Sequence, residues 1–209
     1  MSSSKGVCHV CDLRMNSDFE RCAVKLEVQI DPSKRHFFTE IISSVSSCSF
    51  NPVKEHEVAC RDYISVKIWD VRNPAKPLKQ FNVTDYIDKK LCDLYESESV
   101  FDKFKMKYSP DGQKLLTGSY NGNGFVLDQE TGFNSMVEAA FGNKRGKACS
   151  IDRQYKGRKI SALPDSPAPD LKKKVQLVDW HPTENIIAMG NHNCIFIFNE
   201  EKNIKKDEK

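Results

Sequence analysis

A pattern of three short apolar segments occurs three times along the chain and limits its fold more than any other feature. In each copy a first segment ends at a proline, a second apolar segment follows, and a third ends on Asp or Asn. The proline and the closing residue lie 18, 18 and 17 residues apart, so the register is regular. Repetition at this scale indicates stacked units rather than one irregular core. The copies are Cys48–Pro52 with Glu57–Cys60 and Ser65–Asp70, Met106–Pro110 with Lys114–Ser119 and Gly124–Asp128, and Val178–Pro182 with Asn185–Met189 and Cys194–Asn199.

Each copy reads as three short strands separated by turn residues such as Asp111-Gly112 and Asn121-Gly122. A further outer strand fits between one closing strand and the next copy, and for the second unit we expect it near Lys79–Val83. Four antiparallel strands per unit, with a Trp69-Asp70 pair at the close, are typical of a propeller blade. The sequence therefore predicts an all-β, WD-repeat β-propeller.

The number of copies predicts an incomplete ring. Gly6–Arg14 matches the closing strand alone, and its Asp12 precedes Asp70 by the same 58 residues that separate Asp70 from Asp128. About three and a half blades result, whereas propellers close with about four to eight, so we expect the C-terminal half of a longer protein. The predicted units are a closing strand at 1–14, blades at 15–70, 71–128 and 129–199, and a charged tail at 200–209.

Composition excludes several classes of protein. The formal net charge of +3 is too small to indicate nucleic-acid or membrane binding by bulk charge. No apolar run approaches the roughly 20 residues of a membrane span, and the first six residues lack the apolar core of a secretory signal. The eight cysteines are therefore interpreted as reduced thiols. These features favour a cytoplasmic protein, with the nucleus as a second location.

No arrangement of residues indicates catalysis or a bound metal. Cys8-His-Val-Cys11 lacks the second pair of ligands that a structural zinc site needs, and Cys60, Cys92 and Cys194 are expected to be small buried apolar residues. His181 is interpreted as a turn residue between strands. Gly118–Gly124 is rich in glycine but precedes a strand, so it predicts a hairpin and not a phosphate-binding loop. We expect no enzyme activity, no catalytic residues, no cofactor and no metal.

A strongly basic insertion interrupts the third unit at residues 143–174, with ten Lys and Arg against three Asp. It also holds a proline-containing stretch, Ser161–Pro169, in which Ser166-Pro167 could be phosphorylated by a proline-directed kinase. A mobile, solvated loop is one interpretation. Docking to an acidic partner or a nuclear-import signal is the other.

Several longer stretches resemble the 55-kilodalton regulatory B subunits of protein phosphatase type 2A. The combination of Phe37–Ser44 with Val100–Phe104 is specific to that family, whereas a Trp-Asp pair occurs in very many propellers. The resemblance runs from about residue 3 to about residue 200, nearly the whole chain. The other matching stretches are Arg61–Asp70, Lys90–Glu96, Thr117–Asn121 and Trp180–Ala188.

The resemblance implies a non-catalytic subunit with a seven-bladed ring, which sits on a helical-repeat scaffold subunit next to the catalytic subunit. It implies that basic phosphoprotein substrates bind an acidic rim of the propeller, without nucleic acid or membrane as partners. The scaffold-binding hairpin of the family matches no part of this chain. The substrate-binding residues implied here are Phe38, Tyr95, Glu96, Glu98, Phe101, Asp102 and Lys103.

The residues of that segment agree with such a role, although they allow a simpler one. Four carboxylates, those of Asp93, Glu96, Glu98 and Asp102, lie within ten residues and alternate with aromatic side chains. Carboxylates attract basic segments, and aromatic residues at a rim supply buried contact. A solvated connection between blades, with its aromatic residues in the core, is the simpler interpretation. The alternative function is a WD-repeat interaction scaffold, or a truncated fragment, that no longer assembles with the phosphatase.

Overall fold

A computed structural model describes residues 1–12, 14, 22–30, 33, 35–84, 87, 90–132, 134–139 and 170–199. Within these residues the chain forms four antiparallel sheets, as predicted for part of a WD-repeat β-propeller. No helix in these ranges is long and apolar enough to cross a membrane. Most of the basic insertion, Ser166-Pro167 and the charged tail lie outside the described residues.

Each sheet is a meander in which consecutive strands pair. The N-terminal sheet consists of β1 (Val7–Val10) and β2 (Val24–Glu27). The first sheet contains β3 (Ser47–Phe50), β4 (Glu57–Arg61), β5 (Ser65–Asp70) and β6 (Lys79–Asn82). The second contains β7 (Met106–Tyr108), β8 (Lys114–Gly118), β9 (Asn123–Asp128) and β10 (Asn134–Glu138). The third contains β11 (Val175–Trp180), β12 (Ile186–Asn191) and β13 (Cys194–Asn199).

The outer strand near Lys79–Val83 is present, but it does not belong to the second unit as expected. β6 pairs with β5, with Val66 opposite Phe81, so it is the fourth strand of the first sheet. In the same way β10, expected in the third unit, pairs with β9. The sheets are thus offset by one strand from the sequence repeats. The Phe81 side chain is buried in the core between the first and second sheets.

The core consists of side chains between neighbouring sheets. Period-two alternation directs Leu115 of β8 toward the first sheet and Leu116 toward the third. In β4, Ala59 faces the second sheet, whereas Val58 and Cys60 face Cys8 and the N-terminal sheet. Buried strands in a stack therefore have apolar residues on both faces, and each sheet depends on its neighbour for burial.

The turns form where the sequence predicts them. Asn121 and Gly122, with φ of 61° and 72°, connect β8 to β9, so the glycine-rich segment is a hairpin. His181 accepts the backbone N–H of Glu184 at its Nδ1 (3.0 Å), as a turn residue would. Asn51, which occupies the matching position in the first sheet, donates to the carbonyl of Gly112 (2.9 Å) and so ties two sheets together.

The cysteine predictions are partly wrong. Cys60 is buried and Cys194 is half-buried, but Cys92 is exposed on a helix that the strand repeats did not predict. Cys8 is buried among apolar residues between the N-terminal and first sheets.

Two short helices occupy the connections that enter the first and second sheets. α1 (Phe37–Ser43) precedes β3, and α2 (Leu91–Glu96) precedes β7, followed by a 3-10 turn at Ser99–Phe101. Both helices are amphipathic: Phe38, Ile41 and Ile42 of α1 and Leu91 and Leu94 of α2 contact one apolar cluster. This cluster also contains Tyr63, Val100, Phe104 and Tyr120, so the helices form a cap on one end of the sheets.

Candidate functional site

The two capping helices and the 3-10 turn that follows α2 bring four aromatic side chains together. The ring centroid of Tyr95 lies 5.4 Å from that of Phe37, 5.9 Å from that of Phe38 and 6.0 Å from that of Phe101. These are ordinary distances for edge-to-face or tilted aromatic pairs, which stabilise such clusters. Two segments separated by about fifty residues in the sequence therefore share one surface.

Three of these four rings are open to solvent. Phe37 is 65% exposed, Phe101 56% and Tyr95 40%, whereas Phe38 is half-buried against the apolar cluster beneath. An exposed group of large aromatic side chains is typical of a binding surface rather than of a blade connection. The simpler interpretation, with these aromatic residues in the core, therefore fails for Tyr95 and Phe101.

Exposed carboxylates flank Tyr95 and Phe101 in the sequence. Asp93, Glu96 and Glu98 are exposed, and among the residues that the structure describes none of the three forms an ion pair. We call the four rings together with these three carboxylates the acidic–aromatic surface. Lys103, which directly follows Asp102 in the sequence, is also exposed.

Glu98 has a backbone conformation that glutamate rarely adopts. Its φ is 58° and its ψ is 6°, in the left-handed region, and it reverses the chain between α2 and the 3-10 turn. Its N–H donates to the carbonyl of Tyr95 (3.0 Å). A non-glycine residue in this region costs roughly 1–2 kcal/mol, and such residues cluster at binding and active sites.

Asp102 is placed differently from the other predicted site residues. Its side chain is only 10% exposed, and its carboxylate accepts hydrogen bonds from Tyr120, Lys174 and Gln176. The structure thus exposes Tyr95, Glu96, Glu98, Phe101 and Lys103, half-buries Phe38, and directs the Asp102 carboxylate into the protein.

Phe37, the most exposed of the four rings, was not among the residues predicted from the sequence. A helical pattern could have identified it. Phe38, Ile41 and Ile42 have the spacing i, i+3, i+4 of a buried helix face, and residue 37 lies outside that face. No sequence pattern indicates that Lys174 and Gln176 contact Asp102, since they lie more than seventy residues from it.

A cleft of about 650 Å³ lies between α1 and the N-terminal sheet. Phe37 and Glu40 line it on the helix side, and a largely buried ion pair between Lys67 and Asp62 lines it on the side of the first sheet. Within the described parts of the chain, no group of three or more His, Cys, Asp or Glu side chains could hold a metal ion.

The fold and this surface define a class: a β-propeller portion with an exposed acidic and aromatic face. Comparison with known proteins gives a more specific result. Over 206 residues, 97% of its length, the chain is 38% identical to the beta isoform of the 55 kDa regulatory B subunit of serine/threonine-protein phosphatase 2A from Carassius auratus. It is 36% identical, again over 97% of its length, to the corresponding gamma isoform from Rattus norvegicus.

These relatives confirm the resemblance inferred from the sequence. The chain spans 46% of the first relative and 45% of the second, less than half of either protein. No protein-family model matches the chain. Both relatives are named as regulatory subunits of a phosphatase.

Proposed function

We propose that this chain is a non-catalytic, substrate-targeting part of a protein phosphatase 2A regulatory B subunit. In this proposal the acidic–aromatic surface binds basic segments of phosphoproteins, and a catalytic subunit held on a common scaffold hydrolyses the phosphoester. The relatives support the regulatory part of the proposal. The cytoplasm, with the nucleus as a second location, remains the proposed site of action.

One observation carries the binding proposal: exposed aromatic rings lie beside exposed carboxylates that have no cationic partner in the described structure. Phe37, Tyr95 and Phe101 would bury apolar area against a ligand. Glu96 and Glu98 would attract lysine and arginine side chains and raise the association rate. Lys103 would be free to contact a phosphate or carboxylate of the same ligand, since it is exposed beside these groups.

Charge reversal tests the binding proposal directly. We expect the double variant Glu96→Lys with Glu98→Lys to bind a fluorescent, lysine-rich phosphoserine peptide about tenfold more weakly than the unmodified chain, a change of about 1.4 kcal/mol. Fluorescence anisotropy at low and at physiological salt would measure it, and the difference should shrink as salt screens the charges.

Two controls accompany the double variant: Glu96→Lys alone, and Glu130→Lys, which makes a single charge reversal of the same kind in an exposed turn at the opposite end of the second sheet. Glu130→Lys should leave the affinity close to that of the unmodified chain, whereas Glu96→Lys alone should weaken binding. Equal affinity of the double variant and Glu130→Lys would reject the binding proposal.

Assembly with the phosphatase requires a separate experiment. Purified chain mixed with scaffold and catalytic subunits should elute with them in size-exclusion chromatography if it is a working targeting subunit. Peptide binding without co-elution would instead favour the alternative, an interaction scaffold or a truncated fragment that does not assemble with the phosphatase.

A further inference from the structure

The Asp102 carboxylate is held from three sides. Lys174 Nζ donates to both of its oxygens, at 2.7 and 2.9 Å, Gln176 Nε2 donates to Oδ1 at 3.0 Å, and Tyr120 Oη donates to Oδ2 at 2.9 Å. Lys174 thus neutralises this carboxylate within hydrogen-bond distance. A side chain with so many partners and 10% exposure has little capacity left for a ligand.

The partners of Asp102 belong to the second and third sheets. Lys174 directly precedes β11 and forms a backbone bridge with Tyr120 at the β8–β9 hairpin. The chain that follows Asp102 lies along the same segment, because the N–H of Lys105 donates to the carbonyl of Gln176 (2.9 Å). The connection that carries Phe101 is therefore attached to strands that come much later in the sequence.

A second attachment lies on the other side of Phe101. The carbonyl of Ser99 is within hydrogen-bond distance of the hydroxyls of Tyr63 (3.2 Å) and Tyr120 (2.8 Å), which are themselves 2.8 Å apart. Burial, followed by the hydrogen bond with Tyr63, raises the pKa of Tyr120 above its ordinary range, so the phenol stays protonated as a donor. Phe101 lies between two fixed points, Ser99 and Asp102.

We propose that Asp102 is a positioning residue. Together with Lys174 it fixes the segment from Glu98 to Lys103, so that Phe101 and Glu98 stay on the acidic–aromatic surface, and it does not attract ligands itself. This inference rests on the proposed function of that surface. It gives Lys174, at the end of the basic insertion, an indirect role in ligand binding, through its contact with Asp102 beneath the acidic–aromatic surface.

The two possible roles of Asp102 predict opposite effects when its cation is removed. If the carboxylate attracted basic ligands directly, Lys174→Met would release its charge and strengthen binding. If Asp102 positions the segment, the same variant loosens Phe101 and Glu98 and weakens binding. We expect weakening by about tenfold for the lysine-rich phosphoserine peptide, equivalent to about 1.4 kcal/mol.

Two further variants complete this experiment. Lys173→Met removes a neighbouring exposed lysine, which pairs with Asp170, and should leave affinity unchanged or slightly increased. Lys174→Arg retains a cation for Asp102 and should keep affinity near that of the unmodified chain. Binding by Lys174→Met that equals or exceeds that of Lys173→Met would overturn the inference.

Hydrogen–deuterium exchange of the free chain separates failure of this inference from failure of the proposed function. Residues 97–103 should exchange faster in Lys174→Met than in Lys173→Met, with the sheets unchanged, whether or not any peptide binds. Faster exchange without peptide binding by the unmodified chain would reject the proposed function and keep the attachment.

Unchanged exchange of residues 97–103 in Lys174→Met would reject the attachment. Should that variant fail to fold, Gln176→Leu addresses the same question without a change in charge. It should weaken peptide binding and speed exchange of this segment, and unchanged values for both would overturn the inference.

Discussion

At the scale of single residues, carboxylates of one segment differ in exposure and in hydrogen-bond partners because of what surrounds them. Glu96 and Asp102 belong to the same acidic segment, six residues apart. Glu96 is exposed on the last turn of α2, whereas Asp102 is enclosed by Lys174, Gln176 and Tyr120. Charge reversal at Glu96 should therefore alter ligand binding, while reversal at Asp102 would also place a second cation beside Lys174.

Glu98 offers a prediction at the same scale. Because its φ is 58°, replacement by glycine should remove the left-handed penalty and raise the free energy of unfolding by about 1 kcal/mol. The same variant should weaken binding of the lysine-rich peptide, since a carboxylate is lost. Thermal unfolding and fluorescence anisotropy on one preparation would measure both effects.

Asp93→Gly is the matched control for Glu98→Gly. Asp93 is an exposed acidic residue in the first turn of α2, where the backbone is helical and glycine removes no conformational penalty. It should not stabilise the protein. Equal changes in stability for the two variants would show that the backbone of Glu98 carries no strain.

At the scale of elements, the position of the third sheet depends on a glycine. A Cβ added at Gly118, at the end of β8, would lie 1.7 Å from the carbonyl oxygen of Val175, the first residue of β11. Because this oxygen belongs to the backbone, the strand β11 itself would have to move. This contact explains why a strand that otherwise favours larger residues ends in glycine.

Gly118→Ala should consequently destabilise the protein by about 3 kcal/mol, the upper end of the cost of overpacking. Gly190→Ala, within β12 of the third sheet, is the control, because its Cβ would meet Leu177 at an ordinary 3.8 Å. That variant should be neutral or slightly stabilising. Urea unfolding curves would give both values, and similar midpoints would contradict the close approach.

At the scale of the whole molecule, the N-terminal and first sheets meet at a group of thiols. The hydrogen bond with Cys48 lowers the pKa of Cys8, but the bond with Cys60 and burial outweigh it and raise that pKa from 9.0 to about 12. The pKa of Cys48 is also raised, by its hydrogen bond with Cys8 and by burial. The folded protein therefore favours the neutral thiols.

The stability contributed by these thiols should be fully present below about pH 9 and lost as pH rises toward 12. In that window the unfolded chain releases a proton that the folded chain keeps, so the free energy of unfolding should fall by up to about 1.4 kcal/mol per pH unit for each thiol. Cys8→Ala should reduce this slope, and Cys92→Ala, on exposed α2, should not. Equal slopes in urea unfolding between pH 8.5 and 10.5 for both variants would contradict the prediction.

Much of the fold could be predicted because each repeat contains the neighbouring residues that specify its strands and turns. Turn residues such as Asn121-Gly122 and the alternation of apolar residues fix each hairpin through contacts between near neighbours. The helices were not predicted, because α1 and α2 are short and their apolar faces have meaning only against the cluster around Tyr63 and Tyr120. The membership of β6 was assigned to the wrong sheet, since a strand between two repeats can pair with either.

The sequence by itself determined the repeated all-β units, their turns and the segment that carries the acidic–aromatic surface, because each depends on residues close together in the chain. Only the tertiary structure decided which of those side chains are exposed on this surface. Phe37 joins Tyr95 from another connection, and Asp102 is neutralised by a lysine 72 residues away. Charge and exposure are properties of the packed surroundings, and contacts between distant segments determine them.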